Sequence, residues 1–328
     1  MSKLIYKGMP LSAQPGESVL DCLMRNEVPV RSSCRAGVCQ SCLVQGKSAP
    51  PPATQKGLAR SLVTQNFFLA CQCPVEESPE LVCDDELPAF PSRILAVEEV
   101  RSEIFRVFIE RPPQFEFLAG QFVHVTRPAD GLTRSYSIAS RESDELIELH
   151  VARLPGGAMS TFVTTNPGAP LELRGPAGEC VYSGRRDERL LLVGTGTGLA
   201  PLLGVVRTAL EQDHAAPIHL LHGATSVERL YLREELRELE ARHEHFVYIE
   251  DVLGAVPGSS EDTSAPATVS GGLPALLAER FPQLAGYRVY LCGNPQLVHG
   301  LKRQCFLAGA AMQAIHSDPF VLTRHQAS

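Results

Sequence analysis

Five cysteines in the first quarter of the chain have the spacing of a metal site. Cys34, Cys39 and Cys42 follow the pattern C-x4-C-x2-C, and Cys71 and Cys73 come later in the stretch "FLACQC". This spacing holds three thiolates in one tight loop and takes a fourth from elsewhere, as a [2Fe-2S] cluster requires. Zinc modules usually have paired C-x2-C knuckles, so the pattern favours iron and sulfur, with structural zinc as the alternative.

The fourth ligand has two candidates, Cys71 and Cys73. "FLACQC" is typical of the end of a strand, where residues two apart point to the same side. Both thiols are therefore expected to face the cluster region, although only one position is open.

The segment "SCRAGVCQSC", preceded by the amphipathic stretch "ESVLDCLMRNEV" and followed by "FFLACQCPV", resembles the plant-type ferredoxins. The resemblance implies a β-grasp domain in which Cys71 is the fourth ligand, because "FLAC" matches the family's approach to that cysteine. Cys73 is then expected to be a small buried thiol, and Cys22, on the apolar face of the predicted helix, a packed core thiol.

"RSYSIAS" places Arg134, Tyr136 and Ser137 on one predicted strand. An arginine can hold a diphosphate, a tyrosine can face a flat ring and a serine can hydrogen-bond its edge, although the same residues also suit a structural strand. Further on, "PGGAMSTFV" opens a predicted helix with glycines and two hydroxyls, which makes a natural anion site.

"VGTGTGLAPLL" follows the first of several buried strands. It lacks the third glycine of the dinucleotide fingerprint, because Leu199 stands there. Gly196 and Gly198, on either side of Thr197, still let the backbone approach a dinucleotide, and Pro201 suits the first turn of a helix.

These motifs, together with "YLCGNP" and "IHSDPF", resemble the ferredoxin-NADP reductase family. The resemblance implies that Arg134 contacts the FAD pyrophosphate, Tyr136 stacks on the isoalloxazine and Ser137 reaches the flavin N5 region. The other residues that it assigns to FAD, phosphate or nicotinamide are Gly157, Ser160, Thr161, Gly196, Thr197, Gly198, Pro201, Cys292, Gly293 and Phe320. For Cys292 and Phe320, ordinary core packing is the alternative.

The pattern of predicted strands and helices divides the chain into three domains. Residues 1–88 are the predicted ferredoxin domain, 89–186 have the short alternating strands of an antiparallel β-barrel, and 187–328 alternate strand with helix. The last pattern predicts a doubly wound parallel sheet. The resemblance implies that the barrel binds FAD and that the parallel sheet binds NAD. The fold is thus a combination of α+β and α/β domains, with a surface loop expected over 254–272.

The composition and charge of the chain limit the classes of partner that it is expected to bind. A net charge of -7 argues against nucleic acid, and the apolar run over 190–206 is broken by glycine, threonine and proline, so no membrane insertion is expected. The start lacks a signal-peptide pattern, which favours the cytoplasm. One acidic run could steer a basic partner toward the cluster, or could be a solvated linker; its members are Glu76, Glu77, Glu80, Asp84, Asp85 and Glu86.

The three modules in this order resemble the reductase components of bacterial multicomponent oxygenases. The resemblance implies that electrons pass from NADH through FAD to the [2Fe-2S] cluster and then to an acceptor protein, an oxygenase or hydroxylase component. Flavin is needed because nicotinamide gives up two electrons at once whereas the cluster takes one. The alternatives are a deoxysugar dehydratase as acceptor, a small acceptor such as a quinone, or a non-catalytic zinc-binding module.

The choice between NADH and NADPH rests on "HGATSVERLYLREEL", which follows the second buried strand. Enzymes that use NADPH place basic residues here to meet the 2′-phosphate. Thr225, Ser226 and Glu228 are neutral or acidic and only Arg229 could help to bind the 2′-phosphate, so NADH is the predicted donor.

Overall fold

The chain folds into three successive groups of elements. The computed structural model describes residues 3–28, 30, 35, 37, 42–56, 58, 60–83, 89–101, 103–182, 184–252 and 272–320. The expected loop over 254–272 therefore lies outside the described residues, except for Gly272, which begins a helix.

The first group is a five-stranded sheet, in the order β2-β1-β5-β3-β4, with helix α1 packed on it. Its elements are β1 (Lys3–Tyr6), β2 (Met9–Ser12), α1 (Val19–Arg25), β3 (Leu43–Gly46), α2 (Arg60–Thr64), β4 (Phe67–Leu69) and β5 (Leu81–Cys83). Ser18 caps α1 by accepting a hydrogen bond from the Asp21 backbone, and the helix buries Leu20, Cys22 and Leu23 in the domain core. Cys22 is completely buried, which confirms its assignment as a core thiol.

The second group is an antiparallel barrel with the strand order β10-β7-β6-β11-β8-β9. Its elements are β6 (Ala89–Arg101), β7 (Ile104–Glu110), β8 (Phe122–Arg127), β9 (Leu132–Ser137), β10 (Leu146–Ala152), α3 (Ala158–Thr165) and β11 (Pro170–Ala177). Ile138, just after β9, forms a bridge with Leu149 of β10, which joins the two ends of this order. Closure removes the exposed sheet edges and leaves a core of alternating inward-facing residues.

The third group is a parallel sheet, in the order β14-β13-β12-β15-β16. Its elements are β12 (Arg189–Thr195), α4 (Leu199–Glu211), β13 (Ile218–Ala224), α5 (Arg233–Arg242), β14 (Phe246–Val252), α6 (Gly272–Arg280), β15 (Tyr287–Gly293), α7 (Pro295–Leu307) and β16 (Ile315–Pro319). Two apolar clusters, one with α4 and α5 and one with α6 and α7, cover its two faces. The strand order reverses between β12 and β15, and ligands of doubly wound sheets bind beyond the carboxyl ends of the strands at that point.

Candidate cofactor and electron-transfer sites

The structure brings Cys42 and Cys71 into neighbouring segments. The Ala70 backbone N–H donates to the Cys42 carbonyl over 2.9 Å, which ties the residue before Cys71 to the cysteine that precedes β3. Cys34 and Cys39, the other two predicted ligands, lie outside the described residues. Cys42 and Cys71 are the predicted ligands that lie within the described residues.

Cys71 and Cys73 do not share a side, contrary to the prediction from strand geometry. Strand β4 ends at Leu69, and Ala70–Gln72 form a 3₁₀ turn that rotates the two side chains apart. Cys73 is completely buried, its thiol donates to the Pro74 carbonyl over 3.5 Å, and burial raises the pKa of that thiol to about 11. Such an environment keeps Cys73 protonated and away from a metal.

Cys71 has the opposite surroundings. It is half-buried, and the Gln72 side-chain amide donates to its sulfur over 3.3 Å. The same amide donates to the Arg35 carbonyl over 3.4 Å, and a Cβ on Gly37 would come within 2.9 Å of the Gln72 side chain. Gln72, which the motif analysis missed, thus joins Cys71 to the loop that carries the other cysteines, and the geometry favours Cys71 as the fourth ligand.

The acidic run is partly engaged in ion pairs and hydrogen bonds where the structure describes it. Lys47 pairs with Glu80 over 3.3 Å, and a carboxylate oxygen of Glu76 accepts from the Gly16 backbone over 3.2 Å. Asp84, Asp85 and Glu86 lie outside the described residues.

Strand β9 presents the predicted flavin residues. Arg134 and Tyr136, two apart, share one face of the strand, and Tyr136 packs against the barrel core, where burial raises the pKa of its phenol above the usual range. Ser137, the last residue of β9, is buried and its hydroxyl donates to Asp318 Oδ2 over 3.2 Å. A barrel strand thereby contacts the segment next to Phe320.

At the start of α3, the two hydroxyl residues predicted to bind phosphate have different surroundings. Ser160 is buried, donates to the Gly157 carbonyl over 3.1 Å and accepts from the Leu154 backbone over 3.2 Å. A Cβ on Gly157 would lie 2.4 Å from the Ser160 oxygen, so a larger residue there would displace the Ser160 hydroxyl. Thr161 is exposed beside the N-terminal turn. Ser160 therefore shapes the helix start, whereas Thr161 is the hydroxyl accessible to an anion.

The turns after β12 and β15 meet backbone to backbone. Gly196–Gly198 form a 3₁₀ turn, and a Cβ on Gly198 would lie 2.5 Å from the Cys292 carbonyl. Gly293 has a φ of +118°, and a Cβ there would lie 2.5 Å from Thr195 Oγ1. Only glycine permits this approach, which takes place at the carboxyl edge of the sheet, where ligands of doubly wound sheets bind. Thr197 lies in the same turn, and Pro201 is in the first turn of α4.

Cys292 and Phe320 lie at this edge beside Ser137. In the register of β15 and β16, Cys292 is opposite Asp318, and the Phe320 backbone N–H donates to the Gly293 carbonyl over 2.8 Å. The Cys292 thiol is buried and hydrogen-bonds the sulfur of Cys180 over 3.7 Å. Three predicted residues from separate motifs thus converge where the barrel meets the parallel sheet.

Asp318 is a site residue that the sequence analysis did not identify. Burial raises the pKa of its carboxyl to about 6, and the hydrogen bond from Ser137 opposes that rise. Asp318 is therefore a proton acceptor that titrates close to neutral pH. Its position two residues before Phe320 in "IHSDPF" was the available signal.

A buried ion network fixes the barrel to the nucleotide domain. Glu148 of β10 accepts from Arg106, Arg207 and His150, each over 2.8 Å. Burial by itself would raise the pKa of Glu148, but the hydrogen bond from His150 and the charges of Arg207 and Arg106 outweigh it and hold that pKa well below the usual range. Tyr231 bonds the other nitrogen of His150 over 2.8 Å. These contacts join β7 and β10 of the barrel to α4 and to the segment before α5.

The segment predicted to hold the nucleotide ribose forms a 3₁₀ turn, Val227–Arg229, just after β13. A hydrogen bond from Ser226 lowers the pKa of the Glu228 carboxyl, so this position carries a negative charge. The structure adds a cation that the sequence analysis missed, because Arg101 of the barrel donates to the Leu230 carbonyl over 3.4 Å.

No helix in the described part of the chain is long and apolar enough to cross a membrane.

Comparisons with known proteins assign each group of elements. Residues 6–76 match the 2Fe-2S iron-sulfur cluster binding domain, 96–182 the oxidoreductase FAD-binding domain and 192–303 the oxidoreductase NAD-binding domain. The chain is 33% identical to the ferredoxin–NAD(P)+ reductase component of naphthalene 1,2-dioxygenase/salicylate 5-hydroxylase systems from Ralstonia sp., over 94% of this chain and 95% of that protein. The chain belongs to this reductase family.

Other members of the family are similar over nearly their whole length. The reductase component of the naphthalene 1,2-dioxygenase system from Pseudomonas putida is 30% identical over 95% of each chain. Among solved structures, a cytochrome P450 reductase from Amycolatopsis has a TM-score of 0.64 and 26% identity over 98% of this chain and 99% of its own. This reductase is an oxidoreductase with domains for a [2Fe-2S] cluster, FAD and NAD. The predicted order of the modules is therefore confirmed. The match to an iron-sulfur domain favours the [2Fe-2S] cluster over the alternative of structural zinc.

Proposed function

We propose that this reductase takes electrons from NADH and delivers them, through FAD and its [2Fe-2S] cluster, to the oxygenase or hydroxylase component of a multicomponent system. The observation that carries the proposal is the meeting of Ser137, Cys292 and Asp318 at one corner, because they come from a barrel strand and from two strands of the parallel sheet. The partner class is supported by the names of the relatives, which are reductase components of oxygenase systems.

The residues present fit the cofactors that the three domains imply. Arg134 and Tyr136 would hold FAD by its diphosphate and ring, with Thr161 at the helix start, and the glycine turns would admit the nicotinamide. We assign the cluster to Cys34, Cys39, Cys42 and Cys71. When bound, FAD converts the two-electron chemistry of nicotinamide into the one-electron chemistry of the cluster. We also propose domain limits at 88 and 186, outside all three matched spans.

The chain's own residues orient the reactants and handle a proton. Gly198 and Gly293 let the turns after β12 and β15 meet without side chains between them, and the Phe320 backbone N–H donates to the Gly293 carbonyl at the same edge. Ser137 Oγ would take up a proton released at the bound flavin and pass its own to Asp318 Oδ2, which can accept it only when the carboxylate is ionised.

The proposed preference for NADH follows from the charge beyond β13. Glu228 would repel a 2′-phosphate, whereas ribose hydroxyls can donate to its carboxylate. Arg101 and Arg229 are cations near this turn that would favour NADPH, so the preference depends on Glu228 outweighing them.

Acceptor assays on the purified reductase test the proposal. We expect a brown-yellow protein that contains FAD, iron and sulfide, reduces cytochrome c and a cognate oxygenase component with NADH, and has a lower kcat/KM for NADPH. A colourless protein, or one that reduces a quinone but no protein acceptor, contradicts the proposal.

A further inference from the structure

Two buried thiols from different domains touch beside the proposed nicotinamide site. Cys180 follows β11 within the span matched by the FAD-binding domain, and Cys292 lies in β15 within the NAD-binding span. Each is 1% exposed, and their sulfurs are 3.7 Å apart. Both belong to the same apolar cluster, so the contact is part of the packed interface between barrel and sheet.

We infer that Cys180 and Cys292 form a reversible disulfide when the reductase meets a two-electron oxidant such as hydrogen peroxide. One thiol takes an oxygen atom from the peroxide, giving a sulfenic acid and one water. The second thiol then loses its proton and its sulfur attacks the oxidised sulfur, releasing a second water. Two thiols and one hydrogen peroxide thus yield one disulfide and two waters.

The geometry permits this bond with little movement. A disulfide joins sulfurs at about 2.05 Å, so the pair has to close by less than about 2 Å. Rotation about the Cα–Cβ bonds of the two cysteines is the movement that brings the sulfurs closer. The hydrogen bond between the thiols already holds the two sulfurs in contact.

The surroundings set the rate and the consequence. Burial raises the pKa of the Cys292 thiol, and so does its hydrogen bond with Cys180, so oxidation is slow compared with that of an exposed thiol. The disulfide would remove the Cys292 thiol from the nicotinamide site and cross-link Cys180 to β15. The predicted loss of flavin reduction, but not the disulfide itself, rests on the proposed function of Cys292.

Peptide mapping of the intact holoenzyme tests the inference directly. Trypsin separates residues 175–185 from residues 289–302, and each peptide contains one cysteine. After prolonged peroxide treatment without reductant, we expect these two peptides to be joined, and dithiothreitol to release them. Flavin reduction by NADH should fall in proportion to the cross-linked fraction and recover with it. Flavin absorbance is the readout because peroxide also damages iron-sulfur clusters.

Matched variants separate the site from general oxidation. Cys180→Ser should form no cross-link and show no dithiothreitol-reversible loss, whereas Cys305→Ser, which removes another buried thiol on α7, should retain both. Cys180→Ala serves if the serine variant does not fold, and the wild-type peptide map is decisive in either case.

Absence of the joined peptides after prolonged peroxide treatment overturns the inference. A joined peptide with unchanged flavin reduction supports the disulfide and instead contradicts the proposed role of Cys292 at the nicotinamide site.

Discussion

Two cysteine pairs in this reductase have opposite relations between sequence and space. Cys71 and Cys73 are almost adjacent in the chain, yet one is half-buried beside the cluster loop and the other is completely buried in the core. Cys180 and Cys292 are 112 residues apart, yet their sulfurs touch. The chemical role of each thiol here follows from what surrounds it and not from its neighbours in sequence.

The largest expected effect comes from substitutions in the first pair, Cys71 and Cys73. Cys71→Ser should lose the [2Fe-2S] cluster and all one-electron delivery to cytochrome c, while flavin reduction by NADH persists in the other two domains. Cys73→Ser should keep cluster and activity, and lose about 1–3 kcal/mol of unfolding free energy because a hydroxyl replaces a buried thiol. Iron and sulfide analysis with denaturant unfolding measures both, and the reverse pattern contradicts the assignment of Cys71.

The second prediction concerns the binding of FAD, and its variant leaves every cysteine in place. Arg134→Ala should purify without FAD, because the diphosphate would lose its paired cation, and should retain the cluster in its own domain. Flavin content after gel filtration and the visible spectrum report the two cofactors separately. A variant with full flavin content shows that Arg134 does not hold the diphosphate.

A third prediction concerns Asp318, which lies opposite Cys292 in the sheet. Its pKa of about 6 is raised above the ordinary value by burial, so the carboxylate accepts protons above that pH and is protonated below it. NADH-driven cytochrome c reduction should therefore fall as pH decreases through about 6. Asp318→Asn should remove this transition and lower the rate by roughly 10²-fold, the usual contribution of a positioned proton acceptor.

The control for Asp318→Asn is Glu188→Gln. This variant removes a carboxylate that accepts a hydrogen bond from Arg288 and not from Ser137. This control should keep the pH transition of the wild type. An unchanged transition in Asp318→Asn contradicts the proposed relay.

The smallest expected effect concerns the nucleotide. Glu228→Gln removes an exposed charge beside the ribose segment, and interactions of exposed charges are weak, so kcat/KM for NADPH should rise roughly two- to fivefold. The value for NADH should change little. Steady-state kinetics with both nucleotides measures the ratio, and no gain with NADPH removes Glu228 as the basis of the preference.

The sequence predicted the features that depend on residues close together in the chain, but not the contacts between residues far apart in the chain. The modules, the glycine turns and the core position of Cys22 follow from local spacing and periodicity, and all were predicted. The Ser137–Asp318 and Cys180–Cys292 contacts join residues 181 and 112 positions apart across a domain interface, where no local pattern constrains the pairing. The relation of Cys71 to Cys73 was predicted wrongly because a 3₁₀ turn ends the strand at Leu69.

The central claim is that electrons from NADH reach the cluster through the flavin within this one chain. Its most direct test is anaerobic reduction of the purified reductase with NADH, followed by optical absorbance and by EPR of rapidly frozen samples. The account predicts that flavin absorbance bleaches first and that the EPR signal of a reduced [2Fe-2S] cluster then appears. Flavin bleaching with no cluster signal at any time, in protein shown to contain iron and sulfide, contradicts it.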